Sequence, residues 1–122
     1  MKIVTGIDLL EIGRIQQAID RHGERFLNRI YTPAELEEVG NDSASLAARF
    51  AAKEAVAKAL RTGIGAIRWH EIEIIRGEAR EPILRLHGEA KRLAADQKLF
   101  DWSISLSHSQ CHAVAMVVAL RE

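Results

Sequence analysis

The chain has 122 residues, 48% of them hydrophobic, with 17 acidic and 17 basic side chains and one cysteine. That length suits one domain, residues 1–122, around a single core, and the even charge balance argues against a general nucleic-acid binder, which carries a basic excess. Cys111 alone permits no intrachain disulfide, Lys2, Thr5 and Asp8 interrupt the apolar start, and Ala113 to Leu120 is too short for a bilayer; a cytoplasmic protein without a membrane partner is expected.

Lys2 to Ile7 predicts a short strand with Asp8 at its end. An acid leaving a buried strand presents a carboxylate at a sheet edge or cleft, and is equally an ordinary helix N-cap. Leu9, Ile12, Ile15 and Ile19 then recur at helical spacing up to Gly23, with Glu11, Arg14, Gln17 and Arg21 on the opposite side. Glu24 to Ile30 predicts another short helix. Across the two, Arg14, Arg21, Arg25 and Arg29 stand against Asp20 and Glu24, a locally basic strip that suits an acidic partner or a plain solvated face. Thr32-Pro33-Ala34-Glu35 is a capping box with proline at the first helical position, opening a short acidic helix that ends near Gly40.

Leu46 to Leu60 predicts the central helix, roughly 22 Å long at 1.5 Å per residue, because nearly every position is a strong helix former. Asn41, Asp42, Ser43 and Ser45 offer N-caps, and Gly63 and Gly65 end it. Its alanines let neighbouring elements approach from several sides. Arg49 and Lys53 share the sector of Leu46, Phe50, Val56 and Leu60, while Glu54 and Lys58 form an i,i+4 pair beside it. Charges so placed line a cleft, where they need partners or a charged ligand, or snorkel to water.

Thr62-Gly63-Ile64-Gly65 permits a sharp turn or close approach to a ligand, and also reads as a glycine C-cap. Trp69 to Ile75 alternates and predicts a half-buried strand; after a turn at Gly77 to Pro82, Ile83 to His87 predicts its hairpin partner. Gly88 to Lys98 is helical. Trp102 to Ser109 alternates again, with serines on one face and His108 at the end, as a structural or a functional residue. His112 to Leu120 predicts the closing strand. The order strand, helices, hairpin, helix, hairpin defines an α+β domain with an antiparallel sheet.

Taken together, Gly6-Ile7-Asp8-Leu9 with Glu11 and Arg14, Arg49-Phe50-Ala51-Ala52-Lys53-Glu54-Ala55 with Lys58 and Thr62 to Gly65, and Ser105-Leu106-Ser107-His108-Ser109 resemble the three signature regions of the short, trimeric group of the 4'-phosphopantetheinyl transferase superfamily. The resemblance implies a sheet wrapped around the central helix and transfer of 4'-phosphopantetheine from coenzyme A to a serine of acyl carrier protein, with release of adenosine 3',5'-bisphosphate. It assigns Asp8 and Glu54 to Mg2+ and Lys58 to the diphosphate, and leaves Glu54 or a metal-bound water as base. It places Arg49, Lys53, Ser105 and His108 around the nucleotide, makes Thr62, Gly63 and Gly65 a wall beside the diphosphate or pantetheine arm, and turns Arg14, Arg21 and Arg25 toward the carrier protein. It also implies a homotrimer with clefts between subunits. Gly40 to Ser45 departs from it, being short and without a basic residue where many relatives carry a longer basic stretch. The competing expectations are a metal-dependent hydrolase of the same diphosphate and a non-catalytic trimeric binding module.

Overall fold

The computed structural model describes residues 1–122, in the order β1 (Lys2–Glu11), α1 (Ile12–His22), α2 (Glu24–Ile30), α3 (Pro33–Val39), α4 (Ser43–Ala59), a 3-10 turn (Trp69–Glu71), β2 (Ile72–Arg76), β3 (Pro82–Leu86), α5 (Gly88–Asp96), β4 (Leu99–His108) and β5 (His112–Arg121). It is the α+β architecture expected, with every strand pair antiparallel, but the strands form two sheets. One is three-stranded, in the order β1-β5-β4; the other is the β2-β3 hairpin.

α4 is the centre. Asp42 caps it by accepting from the Ser45 backbone N–H at 3.2 Å. Leu46, Ala47, Ala48, Ala51, Ala52, Ala55, Val56, Ala57 and Ala59 are all buried, so neighbours cover the helix nearly all round. Its C-terminal half packs on the three-stranded sheet, β2 and α5; its N-terminal half packs with α1, α2 and Tyr31. Small side chains make that enclosure possible. Gly6 shows how close the approach is: a Cβ there would stand 1.9 Å from the Ala55 carbonyl oxygen.

Three boundaries differ from the sequence expectation. β1 does not stop before Asp8 but pairs with β5 over its whole length, from Lys2 opposite Arg121 to Glu11 opposite His112. Leu9 is therefore a strand residue, 64% exposed on the outer face, and α1 starts only at Ile12. The long ladder outweighs a helical spacing that Leu9 happened to share. The expected strand from Trp69 opens instead as a 3-10 turn held by Glu71, whose carboxylate accepts from the Arg68 N–H at 2.8 Å. β4 begins at Leu99, with an irregularity in its pairing between Phe100 and Ser103.

Candidate functional site

Asp8 lies on the inner face of β1 with Gly6 and Leu10, facing α4. Because Gly6 seats β1 directly on the α4 backbone, the carboxylate two residues on meets the side of that helix that carries Glu54 and Lys58. Lys58 Nζ donates to Asp8 Oδ1 at 3.0 Å and to the Ile7 carbonyl at 2.9 Å. The Lys58 side chain stays 55% exposed, so its remaining proton is open to a ligand.

Glu54, one turn before Lys58, shares with Asp8 a cleft of about 370 Å³ that Arg14, Ile15, Phe26 and Phe50 also line. Partial burial, and after it the Asp8 charge, push the Glu54 carboxyl above its ordinary range, with Lys58 opposing. A carboxylate whose proton affinity is raised by a second one beside it marks a site suited to a cation.

The donor set limits which cation fits. Nowhere in the chain do three His, Cys, Asp or Glu side chains group to hold an ion, so a closed site of the structural zinc type has no ligands here. Two carboxylates at an open cleft fit Mg2+, which takes one or two of them and completes its octahedron with phosphate oxygens and water. The structure thus brings Asp8 beside both Glu54 and Lys58.

The other expected residues divide. Arg14 lines the same cleft, and exposed Arg21 and Arg25 continue its side of the molecule along α1 and α2. Thr62 and Gly65 line two neighbouring hollows rather than the Asp8 cleft. Thr62 N–H bonds the Ala57 carbonyl at 3.0 Å to end α4, and Gly65, at φ 135, holds a backbone shape that only glycine adopts freely. Gly63 lies exposed between them. Ser105 and His108 are exposed on β4, and neither lines the cleft within one chain.

Arg49 and Lys53 lie away from the Asp8 cleft, bonded inside the chain. Lys53 is 0% exposed and gives its three protons to Glu35 Oε1 at 2.8 Å, the Ile72 carbonyl at 2.6 Å and the Trp69 carbonyl at 3.1 Å. Arg49, 4% exposed, donates from Nε to the Ile74 carbonyl at 3.3 Å and pairs with Glu38 at 3.5 Å. Neither lines the Asp8 cleft, and the polar partners they have within the chain are Glu35, Glu38 and the Trp69, Ile72 and Ile74 carbonyls. Burial lowers both below their ordinary values, held against by Glu35 for Lys53 and by Glu38 and Glu35 for Arg49.

Glu35, Glu38 and Tyr31, which sequence reasoning missed, complete this buried group. Glu35 is 0% exposed; besides closing the capping box it accepts from the Ile74 N–H at 2.9 Å. Tyr31 donates to the Leu46 carbonyl at 2.7 Å and lays its ring 5.9 Å from Lys53 Nζ. One signal pointed to them: two bases on an apolar sector need buried acids, and the nearest acidic helix is Pro33 to Val39. Lys53→Met should cost about 3–5 kcal/mol in urea unfolding, because Glu35 is left as an unpaired buried charge.

The α+β domain thus sets a Glu and a Lys, one turn apart on its central helix, beside an Asp on the first strand. The chain belongs to the 4'-phosphopantetheinyl transferase superfamily, whose family pattern matches residues 5–117. Within it the similar proteins are holo-[acyl-carrier-protein] synthases: that of Herpetosiphon aurantiacus is 46% identical over 97% of this chain and 98% of its own, and that of Moorella thermoacetica 48% identical over 97% and 92%. Among solved structures, the Helicobacter pylori holo-[acyl-carrier-protein] synthase in complex with coenzyme A superposes with a TM-score of 0.87 at 33% identity, covering 95% of this chain and 99% of that one. The Neisseria meningitidis enzyme gives 0.86 at 36% identity, covering 97% and 98%.

Proposed function

We propose that the cleft between β1 and α4 is where the chain carries out the reaction of its family. It moves 4'-phosphopantetheine from coenzyme A to a serine hydroxyl of apo acyl carrier protein and releases adenosine 3',5'-bisphosphate. Asp8 and Glu54 in one cleft that Arg14 also lines, with Lys58 bonded to Asp8, carry this reading.

In the reaction a bond forms between the serine oxygen and the β-phosphorus, and the bond from that phosphorus to the bridging oxygen breaks. Asp8 and Glu54 would hold Mg2+, which when bound offsets charge on the diphosphate. Lys58, tethered by Asp8 and the Ile7 carbonyl, directs its free proton to phosphate oxygens and stabilises the charge growing on the leaving nucleotide. Glu54, its proton affinity raised, is the carboxylate suited to accept the serine proton. Arg14 stands at the rim, where it meets an acidic face of the carrier protein. Arg14→Glu should raise KM for the carrier roughly tenfold with kcat little changed, and salt should weaken the wild-type association.

The assembly is a homotrimer in this proposal. Ile3, Ile7, Leu9 and Met116 are exposed on the outer face of the three-stranded sheet, an apolar surface that a second copy would cover. Ser105 continues that face across Met116 on β5, and His108 ends the free edge strand, so both would stand against a neighbouring subunit's cleft. Ile7→Glu should convert the trimer to monomer in analytical ultracentrifugation. No helix is long and apolar enough to cross a membrane, and the cytoplasm is the compartment proposed.

Intact-mass measurement after incubation with apo carrier protein, coenzyme A and Mg2+ tests the activity. A gain of one phosphopantetheine unit supports transfer. Nucleotide released without carrier protein indicates a hydrolase instead, and coenzyme bound without release indicates a binding module.

A further inference from the structure

A strand has two hydrogen-bonding edges, and β2 uses β3 on only one. On the other, buried backbone groups need partners from elsewhere. Ile72 and Ile74 are 0% exposed, so water cannot supply them. Four side chains do, in alternation. The Ile72 carbonyl accepts from Lys53 at 2.6 Å, the Ile74 N–H donates to Glu35 at 2.9 Å, the Ile74 carbonyl accepts from Arg49 at 3.3 Å, and the Arg76 N–H donates to both Glu38 oxygens at 3.0 and 3.1 Å.

The spacing explains the fit. Four residues of helix rise about 6 Å and two residues of strand about 6.7 Å, so Arg49 and Lys53 fall opposite the Ile74 and Ile72 carbonyls with α4 running antiparallel to β2. Acids from α3 occupy the donor positions between and beyond them. No buried side-chain nitrogen or oxygen is left without a partner.

This ladder also sets the rotation of α4. At about 100° per residue, Lys53 and Ala55 mark the two ends of an arc of about 200°, and Glu54 and Lys58 lie on it between them. One end is fixed by the ladder to β2, the other by the backbone contact between Ala55 and Gly6 on β1. A roll of about 20° would carry a side-chain end at a radius of about 5–6 Å through about 2 Å, and misplacement by about 1 Å costs on the order of a hundredfold in rate.

We propose that Arg49 and Lys53 are positioning residues that stand in for the missing strand beside β2 and so hold α4 in the rotation that presents Glu54 and Lys58 to Asp8. The inference rests on reading those three as the reacting centre.

The test compares full-length wild type with Lys53→Met/Glu35→Gln, which removes both buried charges together, with Arg49→Met, and with the conservative Arg49→Lys, whose ammonium can reach the same carbonyl. Circular dichroism establishes folding, steady-state kinetics give kcat and KM, and calorimetry measures Mg2+ affinity in the presence of coenzyme A. Folded Lys53→Met/Glu35→Gln and Arg49→Met should lose at least about tenfold in kcat and about tenfold in Mg2+ affinity with KM for the carrier unchanged, while Arg49→Lys keeps wild-type values. Unchanged kcat and Mg2+ affinity in a folded variant, whatever its melting temperature, would overturn the proposal, as would a raised KM for coenzyme A with kcat intact. Should the Lys53 variant fail to fold, the two Arg49 variants decide. A wild type that transfers nothing removes the reading of the reacting centre instead, and the Mg2+ affinities still report whether the ladder holds α4.

Discussion

Glu54→Ala should abolish transfer, by on the order of a thousandfold or more, while leaving the fold in place. The loss follows from removing one of only two carboxylates in the cleft together with the group suited to take the serine proton. Retention of the fold follows from local physics: alanine is the strongest helix former, and α4 is already largely alanine. The sign of the stability change follows from linkage. Partial burial and Asp8 raise the folded-state value of Glu54 above its unfolded one, so the folded chain holds that proton more tightly. In metal-free buffer the ionised group therefore opposes folding at neutral pH, and the opposition fades as pH falls through the raised value. Glu54→Gln should be at least as stable as wild type at pH 7 by urea unfolding and should lose part of that advantage at lower pH. A marked loss of stability at neutral pH would mean that Glu54 has a structural partner instead.

Gly6→Ala should be the most damaging single methyl in the molecule. The added Cβ would stand 1.9 Å from the Ala55 carbonyl oxygen, 2.9 Å from its carbon and 3.1 Å from the Ala59 nitrogen. All three are backbone atoms of a helix enclosed by the sheet, so no flexible side chain can yield, and β1 and α4 must separate. Overpacking of this kind costs about 1–3 kcal/mol and more where nothing relaxes, so a loss of about 3 kcal/mol or greater is expected in urea unfolding. Transfer should fall further than stability alone explains, because Asp8 lies two residues along the displaced strand. A variant with wild-type stability and rate would show that β1 and α4 are not held by this contact.

The legible parts of the fold have local causes. The Thr32–Glu35 capping box is formed as read, both of its bonds being present. The alternation from Trp102 to His108 is a strand because its pattern repeats at every second residue. The reach of β1 was masked for an equally local reason: Ile3, Ile7 and Leu9 face outward while Val4 and Leu10 face inward, so both sides of the strand are apolar and its period disappears.

In the site, Asp8, Glu54 and Lys58 were singled out by the resemblance to the family, with the partial burial of Asp8 between strand and helix coming only from the structure. Arg49 and Lys53 were less legible, because a charge on an apolar sector announces that it needs a partner without saying whether that partner is a ligand or the chain. Here it is the chain. Their partners Glu35 and Glu38 lie on another helix, and the backbone groups they serve are about twenty residues further on, so only the assembled fold brings the set together.

Crystals grown with coenzyme A and Mn2+ in place of Mg2+, examined for anomalous scattering, test the account at its centre. It predicts one strong peak bonded to both the Asp8 and the Glu54 carboxylates and to the diphosphate, with Lys58 turned to the same phosphates. A bound diphosphate with no ion between those two carboxylates, Asp8 still tied only to Lys58, would contradict it.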